Sequence, residues 1–266
     1  MQFRITLRLK QPGQLLPLSY QYELSAWIYH LLEQANSDFA KFLHEEGYLA
    51  GKKRFKLFVF SNLHIPHGGY TILDDRMKIH AREISFVISF LVPQAAQDLL
   101  MGLFKEQRFR LGDRITGIDF QVHTIECLPL PHFSERVIRF KCTAPLVVSQ
   151  PKISSKGKLI SDYLAPSDPT YSQYFWGNLR DKHKAALAVQ LATPIPKSPE
   201  YSFRCLTERP KARLIRIKAH TPAETKVKGY LFDFELEAPQ ELLRLGLLAG
   251  FGVENALGFG AVRVIK

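Results

Sequence analysis

The stretch that most constrains this chain is GFGVENALGFG, Gly250 to Gly260, which runs into Ala261-Val262-Arg263-Val264-Ile265. Two Gly-Phe-Gly pairs bracket five residues, and an apolar strand follows. Ahead of them, Pro239 to Leu248 has the spacing of an amphipathic helix with Pro239 in its first turn. The expected order is therefore helix, glycine loop, strand. Glycine permits positive φ and, lacking Cβ, lets a partner approach the main chain closely. A row of free backbone N–H groups in such a loop suits a phosphate backbone. The alternative is a sharp turn whose glycines serve packing alone. The flanking order, helix before and strand after, excludes a dinucleotide-binding fingerprint.

With 266 residues, 46% of them hydrophobic and 23% charged, the chain can build one large core or two smaller ones. No apolar run approaches the roughly 20 residues that span a bilayer, so no membrane partner is expected. Cys127, Cys142 and Cys205 are scattered without metal-ligand spacing, which fits a reducing cytoplasm. The net charge of +11 is unevenly placed. Residues 1–133 hold 15 Lys/Arg against 13 Asp/Glu, whereas residues 134–266 hold 21 against 12. Arg136, Arg139, Lys141, Lys152, Lys156 and Lys158 form a run with no acid, and Tyr201 to Lys228 adds eight bases against two acids. Clustering of this kind favours a polyanion partner over a merely solvated surface.

Alternation over Gln2 to Lys10 predicts a half-buried strand with Arg4 and Arg8 on its open face. Tyr22 to Gln34 reads as a helix, and Asn36 or Ser37 can cap a second short one that ends near His44. Strands are expected at Phe55–Phe60, Ile84–Leu91 and Ile115–Ile125, with a helix from Pro93 to Phe104. This is a β-α-β-β-α-β unit. Leu128 to Phe133 reads as a linker. Beyond it come a strand at Val137–Cys142, a helix from Asp168-Pro169 to about Leu191, and a loop at Thr193–Pro199. A hairpin of Ala212–Ala219 with Gly229–Glu237 precedes the last helix, loop and strand. The expected fold is α+β, two tandem ferredoxin-like (RRM-like) domains with antiparallel sheets, at residues 1–127 and 134–266.

His64, His67, Asp74, Asp75 and His80 lie in a loop without metal spacing, and nothing resembles a nucleophile elbow. Neither a metal nor an organic cofactor is expected. RNA, however, carries its own nucleophile in the 2′-hydroxyl. A protein that cuts it must take one proton, return another to the leaving 5′-oxygen, and shelter charge on phosphorus. Tyr29, His44 and the run Lys52, Lys53, Arg54, Lys56 are of suitable types. Each also has an ordinary reading: a packing tyrosine, a histidine at a helix end, solvated lysines. Tyr171, Tyr174, Phe175 and Trp176 could stack bases or pack at helical spacing.

Three motifs then occur in order: LPLSYQYELSAWIY at 16–29, FAKFLHEEGY at 39–48 followed by FKLFVFS at 55–61, and the paired glycines of 250–260. Together they resemble the repeat-associated mysterious protein (RAMP) endoribonucleases that process precursor CRISPR RNA. The resemblance implies metal-independent cleavage within each repeat, leaving a 2′,3′-cyclic phosphate and a 5′-hydroxyl. By position it makes His44 the general base, Tyr29 the residue that orients or protonates, and Lys56 the cation at phosphorus, with Lys52 or Lys53 as alternatives. RNA binding would fall to Gly250, Gly252, Gly258 and Gly260, to Arg204, Arg209, Lys211, Arg213, Arg216 and Lys218, and to Arg4 and Arg8. The expected partner is CRISPR repeat RNA, before and after processing, with a CRISPR effector complex beyond it and the chain a monomer or homodimer. The rival reading is a repeat-RNA-binding subunit that does not cut.

Overall fold

The computed structural model describes residues 1–133, 137–155, 157–196 and 201–265. Five helices, α1 (Gln21–Ala35), α2 (Ser37–Glu45), α3 (Pro93–Lys105), α4 (Tyr171–Ala188) and α5 (Gln240–Ala249), pack on two antiparallel sheets. No described helix is long and apolar enough to cross a membrane. In the first sheet the order is Phe58–Phe60, Glu83–Phe90, Gln2–Leu9, Gly117–Cys127, with Arg108–Gly112 added at the edge. In the second it is Ser202–Cys205, Asp233–Glu237, Val137–Cys142, Val262–Ile265. Numbered within each half, both read 2-3-1-4, the ferredoxin-like order, so the chain is a tandem of two such units. The linker stretch 128–133 is irregular, and residues 134–136, where the second unit was expected to begin, lie outside the described residues, as do Lys156 and Lys197–Pro199.

Three expectations need correction. Phe55–Phe60 is not one strand. Lys53–Phe55 pairs with Tyr48–Ala50 as a separate hairpin, Leu57 turns at φ +55°, and only Phe58–Phe60 enters the sheet. The hairpin after residue 210 also stands apart, as Lys211–Ile217 on Thr225–Leu231. The chain then breaks at Phe232, and Asp233–Glu237 returns to the main sheet beside the unforeseen strand Ser202–Cys205. Finally, Leu15–Pro17, Tyr70–Leu73 and Arg76–Ile79 form a small sheet that lacks alternation in the sequence.

One apolar cluster runs through both units, from Phe3, Ile5 and Leu7 to Phe140, Phe234 and Phe251. The two phenylalanines of the glycine stretch are its anchors. Phe251 is fully buried against Phe140, Phe175 and Phe234, and Phe259 is fully buried against Val147, Ile215 and Val227 under the 211–231 hairpin. Burying each such ring contributes about 2–3 kcal/mol. The glycines make the anchoring possible. Gly260 has φ +75°, and a Cβ there would lie 1.9 Å from the Phe251 carbonyl oxygen.

Gly260→Ala should therefore destabilise the fold by about 2 kcal/mol or more, from left-handed strain plus overpacking. Gly177 in α4 is a contrasting site, because a Cβ there meets nothing within 4 Å. Gly177→Ala should stabilise by about 0.5–1 kcal/mol. Urea unfolding of the two variants checks both signs.

Candidate active site

Asn36 ends α1 and starts α2, its Oδ1 accepting from the Phe39 N–H at 3.1 Å. That cap fixes the angle at which α2 departs, and so brings His44 in its last turn back toward Tyr29 in α1. The two rings meet edge to face with centroids 5.3 Å apart, and Tyr29 also rests on Phe58 at 5.8 Å. Lys56 sits at the break between the 53–55 and 58–60 strands. Its Nζ donates to the His44 carbonyl oxygen at 2.7 Å, satisfying an end carbonyl of α2. Tyr29, His44 and Lys56 thus line one cleft of about 340 Å³, with Asn178 and Lys182 of α4 and residues 252–257 also contributing to its lining. His44 is exposed there, and Tyr29 and Lys56 are half-buried. Burial raises the Tyr29 hydroxyl well above the ordinary phenol range, so it holds its proton and can donate a hydrogen bond. Desolvation, then the neighbouring Arg54 charge, lowers Lys56. Lys53, by contrast, is bonded to Asp181 at 2.7 Å, and Lys52 is exposed outside the residues lining the cleft.

The glycine stretch is held by two side chains. Lys182, only 2% exposed, donates to the carbonyl oxygens of Gly250 at 2.6 Å and Gly252 at 2.7 Å and to Asn255 Oδ1. Burial pulls its pKa down to about 7, while three acceptor oxygens favour the ammonium form. Asn255 Nδ2 in turn donates to the carbonyls of Phe251 at 3.0 Å and Phe259 at 2.9 Å, tying the two Gly-Phe-Gly pairs together. Gly250, Gly252, Gly258 and Gly260 are all buried. The N–H groups of Gly258 and Gly260 are spent on Asn255 O and Pro145 O. The part of the stretch that lines the cleft is 252–257, mostly the arc between the pairs. This arc reaches the first unit: Ser25 Oγ donates to Ala256 O at 2.7 Å, and a Cβ on Gly258 would strike the Phe60 ring.

Other basic candidates separate by their partners. Arg4 is paired with Glu126, Arg8 with Glu83 and Arg204 with Glu235, all at the surface, and Arg216 binds Asp75 at 3.0 Å. Among the described residues Arg209, Lys211, Arg213 and Lys218 have no acidic partner; Lys218 lies over the Tyr22 ring at 5.7 Å. Tyr171, Phe175 and Trp176 are buried packing residues, whereas Tyr174 is half-buried beside the cleft.

Lys182, Asn178, Asn255 and Glu254 went unread in the sequence. The signal for Lys182 was there: it falls seven residues after Phe175 on the buried stripe of α4, where a lysine needs partners. Lys182→Met should cost about 3 kcal/mol or more by leaving three buried oxygens without a donor. It should also raise amide exchange across 250–258 before other segments, as hydrogen-exchange mass spectrometry would read.

Comparison with known proteins bears on the family and the fold. The family description "CRISPR-associated protein Cas6, N-terminal" matches residues 15–126, and "CRISPR associated protein Cas6, C-terminal" matches residues 128–264. CRISPR-associated endoribonuclease Cas6 1 of Methanocaldococcus jannaschii is 24% identical over 97% of this chain and 91% of its own. CRISPR-associated endoribonuclease Cas6 of Pyrococcus furiosus is 29% identical over 93% of this chain and 83% of its own. Among solved structures, the product of a Cas6-related gene from Pyrococcus furiosus superposes with a TM-score of 0.82 at 22% identity, covering 100% of this chain and 98% of that one. A structure described as a RAMP protein binding different RNA substrates gives 0.80 at 21% identity, with 100% of both chains covered. With both halves matched in order and the tandem ferredoxin-like fold in place, the chain belongs to the Cas6 family of CRISPR-associated proteins.

Proposed function

We propose that this protein is a metal-independent endoribonuclease that cuts precursor CRISPR RNA within its repeats. The observation that carries the reading is the meeting of Tyr29, His44 and Lys56 in one cleft, facing the arc between the paired glycines. The relatives named as CRISPR-associated endoribonucleases support the substrate class. In this mechanism the His44 imidazole takes the proton of the 2′-hydroxyl, and that oxygen attacks the adjacent phosphorus. The P–O5′ bond breaks, leaving a 2′,3′-cyclic phosphate upstream and a 5′-hydroxyl downstream, the latter receiving its proton from Tyr29 or through water. Lys56 supplies positive charge to the phosphorane oxygens from a fixed position, since its tether to the His44 carbonyl leaves other ammonium protons free. Arg209, Lys211, Arg213 and Lys218 would take phosphates of the flanking RNA, because none of them has an acidic partner among the described residues. The paired Arg4, Arg8, Arg204 and Arg216 would contribute less. The first unit would then do the cutting and the second the holding. The processed guide would pass to a CRISPR effector complex. The three free cysteines are at home in a reducing cytoplasm.

The rival reading, RNA holding without cutting, draws on relatives named only as putative endoribonuclease-like proteins. Incubation with repeat RNA in EDTA separates the two, with cleavage expected to persist. A single 2′-deoxy substitution immediately upstream of the cut should abolish it, and cleavage of that RNA would eliminate the attacking group. His44→Ala should slow cutting roughly 10²–10⁴-fold with affinity nearly unchanged. A wild-type rate in the variant would remove His44 from the mechanism.

A further inference from the structure

Beyond Arg54 the cleft opens into a second lobe of about 690 Å³, within the size range of small-ligand sites. Phe55, Pro151, Leu159, Tyr174, Asn178 and Glu254 are among its lining residues, and Arg54, Asn178 and Glu254 line both lobes. The cations left to face a ligand come from one segment, Lys53 and Arg54 in the second lobe and Arg54 and Lys56 in the first, because Lys182 of α4, which also lines the first, is buried and spent on the glycine stretch. Among the described residues that line either lobe, Glu254 is the single acid. It stands at φ +60°, in the left-handed region that glycine and asparagine usually occupy, on the arc between the paired glycines. Its carboxylate has no hydrogen bond or ion pair to the other described residues, and although the residue is exposed, desolvation by the surrounding arc raises it above the ordinary carboxylate range. Asn178 Oδ1 is buried and has no hydrogen-bond partner among the described residues.

An RNA strand lying in this cleft would place its phosphates toward the cations, because a carboxylate repels them. A carboxylate can only accept from the N–H groups of a base. Guanine presents two donors side by side, N1–H and N2–H₂, which a carboxylate accepts in parallel. Cytosine and adenine set a ring acceptor beside their amino group, and uracil has one N–H between two carbonyls. Guanine O6 would remain for the amide N–H₂ of Asn178, and Tyr174 offers a ring for stacking. We propose that the second lobe is a guanine pocket, read by Glu254 and Asn178, that selects the base beside the phosphate to be cut. The inference rests on the RNA-cutting reading of the first lobe.

The test uses the full chain and a repeat RNA made uncleavable by 2′-deoxy substitution, with the four nucleotides around the cut randomised. Sequencing the retained RNA should show guanine enriched at one position by about tenfold or more. Inosine at that position, which lacks the N2 amino group, should lose the advantage. Glu254→Gln, which cannot accept two N–H groups together, should lose the guanine preference while retaining the pooled RNA within about threefold. Equal use of all four bases, or a guanine preference that Glu254→Gln keeps, overturns the pocket. So does a Glu254→Gln variant that keeps its base preference but cuts every all-ribose sequence more slowly, since that places the carboxylate in proton transfer. Because retention is read on uncut RNA, guanine selection with no cleavage of the ribose library would leave the pocket standing and remove the cutting role instead.

Discussion

The Lys182 ammonium, buried on the inner face of α4 and bonded to Gly250, Gly252 and Asn255, sets the position of the glycine stretch that lines the cleft. A charge removed from water is costly unless its hydrogen bonds are replaced, and here three oxygens replace them. Those oxygens all belong to the glycine stretch, so the lysine is satisfied only when that stretch takes one shape. Asn255 relays the constraint to both phenylalanine carbonyls, and the phenylalanines lock into separate parts of the core. The arc between them is therefore rigid although it is irregular. Rigidity is what a cleft needs if it is to hold a phosphodiester in line.

The glycines then have a different task from the one their composition suggests. They are the places where carbonyls, rings and side chains press against the main chain, and a Cβ at Gly252 would lie 2.1 Å from the Val147 carbonyl oxygen. Their contribution to a ligand is indirect. They allow the arc to reach across to α1 and Phe60, so that the two ferredoxin-like units share one core and one cleft rather than meeting at a loose interface. The cluster of aromatic rings around Phe175 and Phe234 serves the same end from the other side.

Much of the fold could be read before any coordinates because its signals are local. Alternation in Gln2–Leu9 and Val137–Cys142, the Asn36 cap and Pro93 at the start of α3 each speak for a single element. The failures share a cause. Phe55–Phe60 and Gly229–Glu237 each carry regular apolar residues without interruption in sequence, but tertiary packing divides each between a hairpin and a sheet, at Leu57 and at Phe232. No periodicity marks such a break. The candidate site divides likewise. Tyr29, His44 and Lys56 carry reactive groups in a recognisable order, whereas Asn178 and Glu254 are ordinary polar residues made notable only by lacking a partner among the described residues.

One further consequence lies in how Lys56 is tethered. Its bond goes to the main-chain carbonyl of residue 44, and the imidazole takes no part in it. Any amino acid at that position would still offer the same oxygen, and the helix, the lysine and the opposite wall would stay where they are. Loss of the imidazole by drift would thus leave the tether intact and cost only the edge-to-face contact with Tyr29, about 0.5–1.5 kcal/mol. If His44 is the base, one codon would then separate scissors from clamp on an otherwise unchanged scaffold.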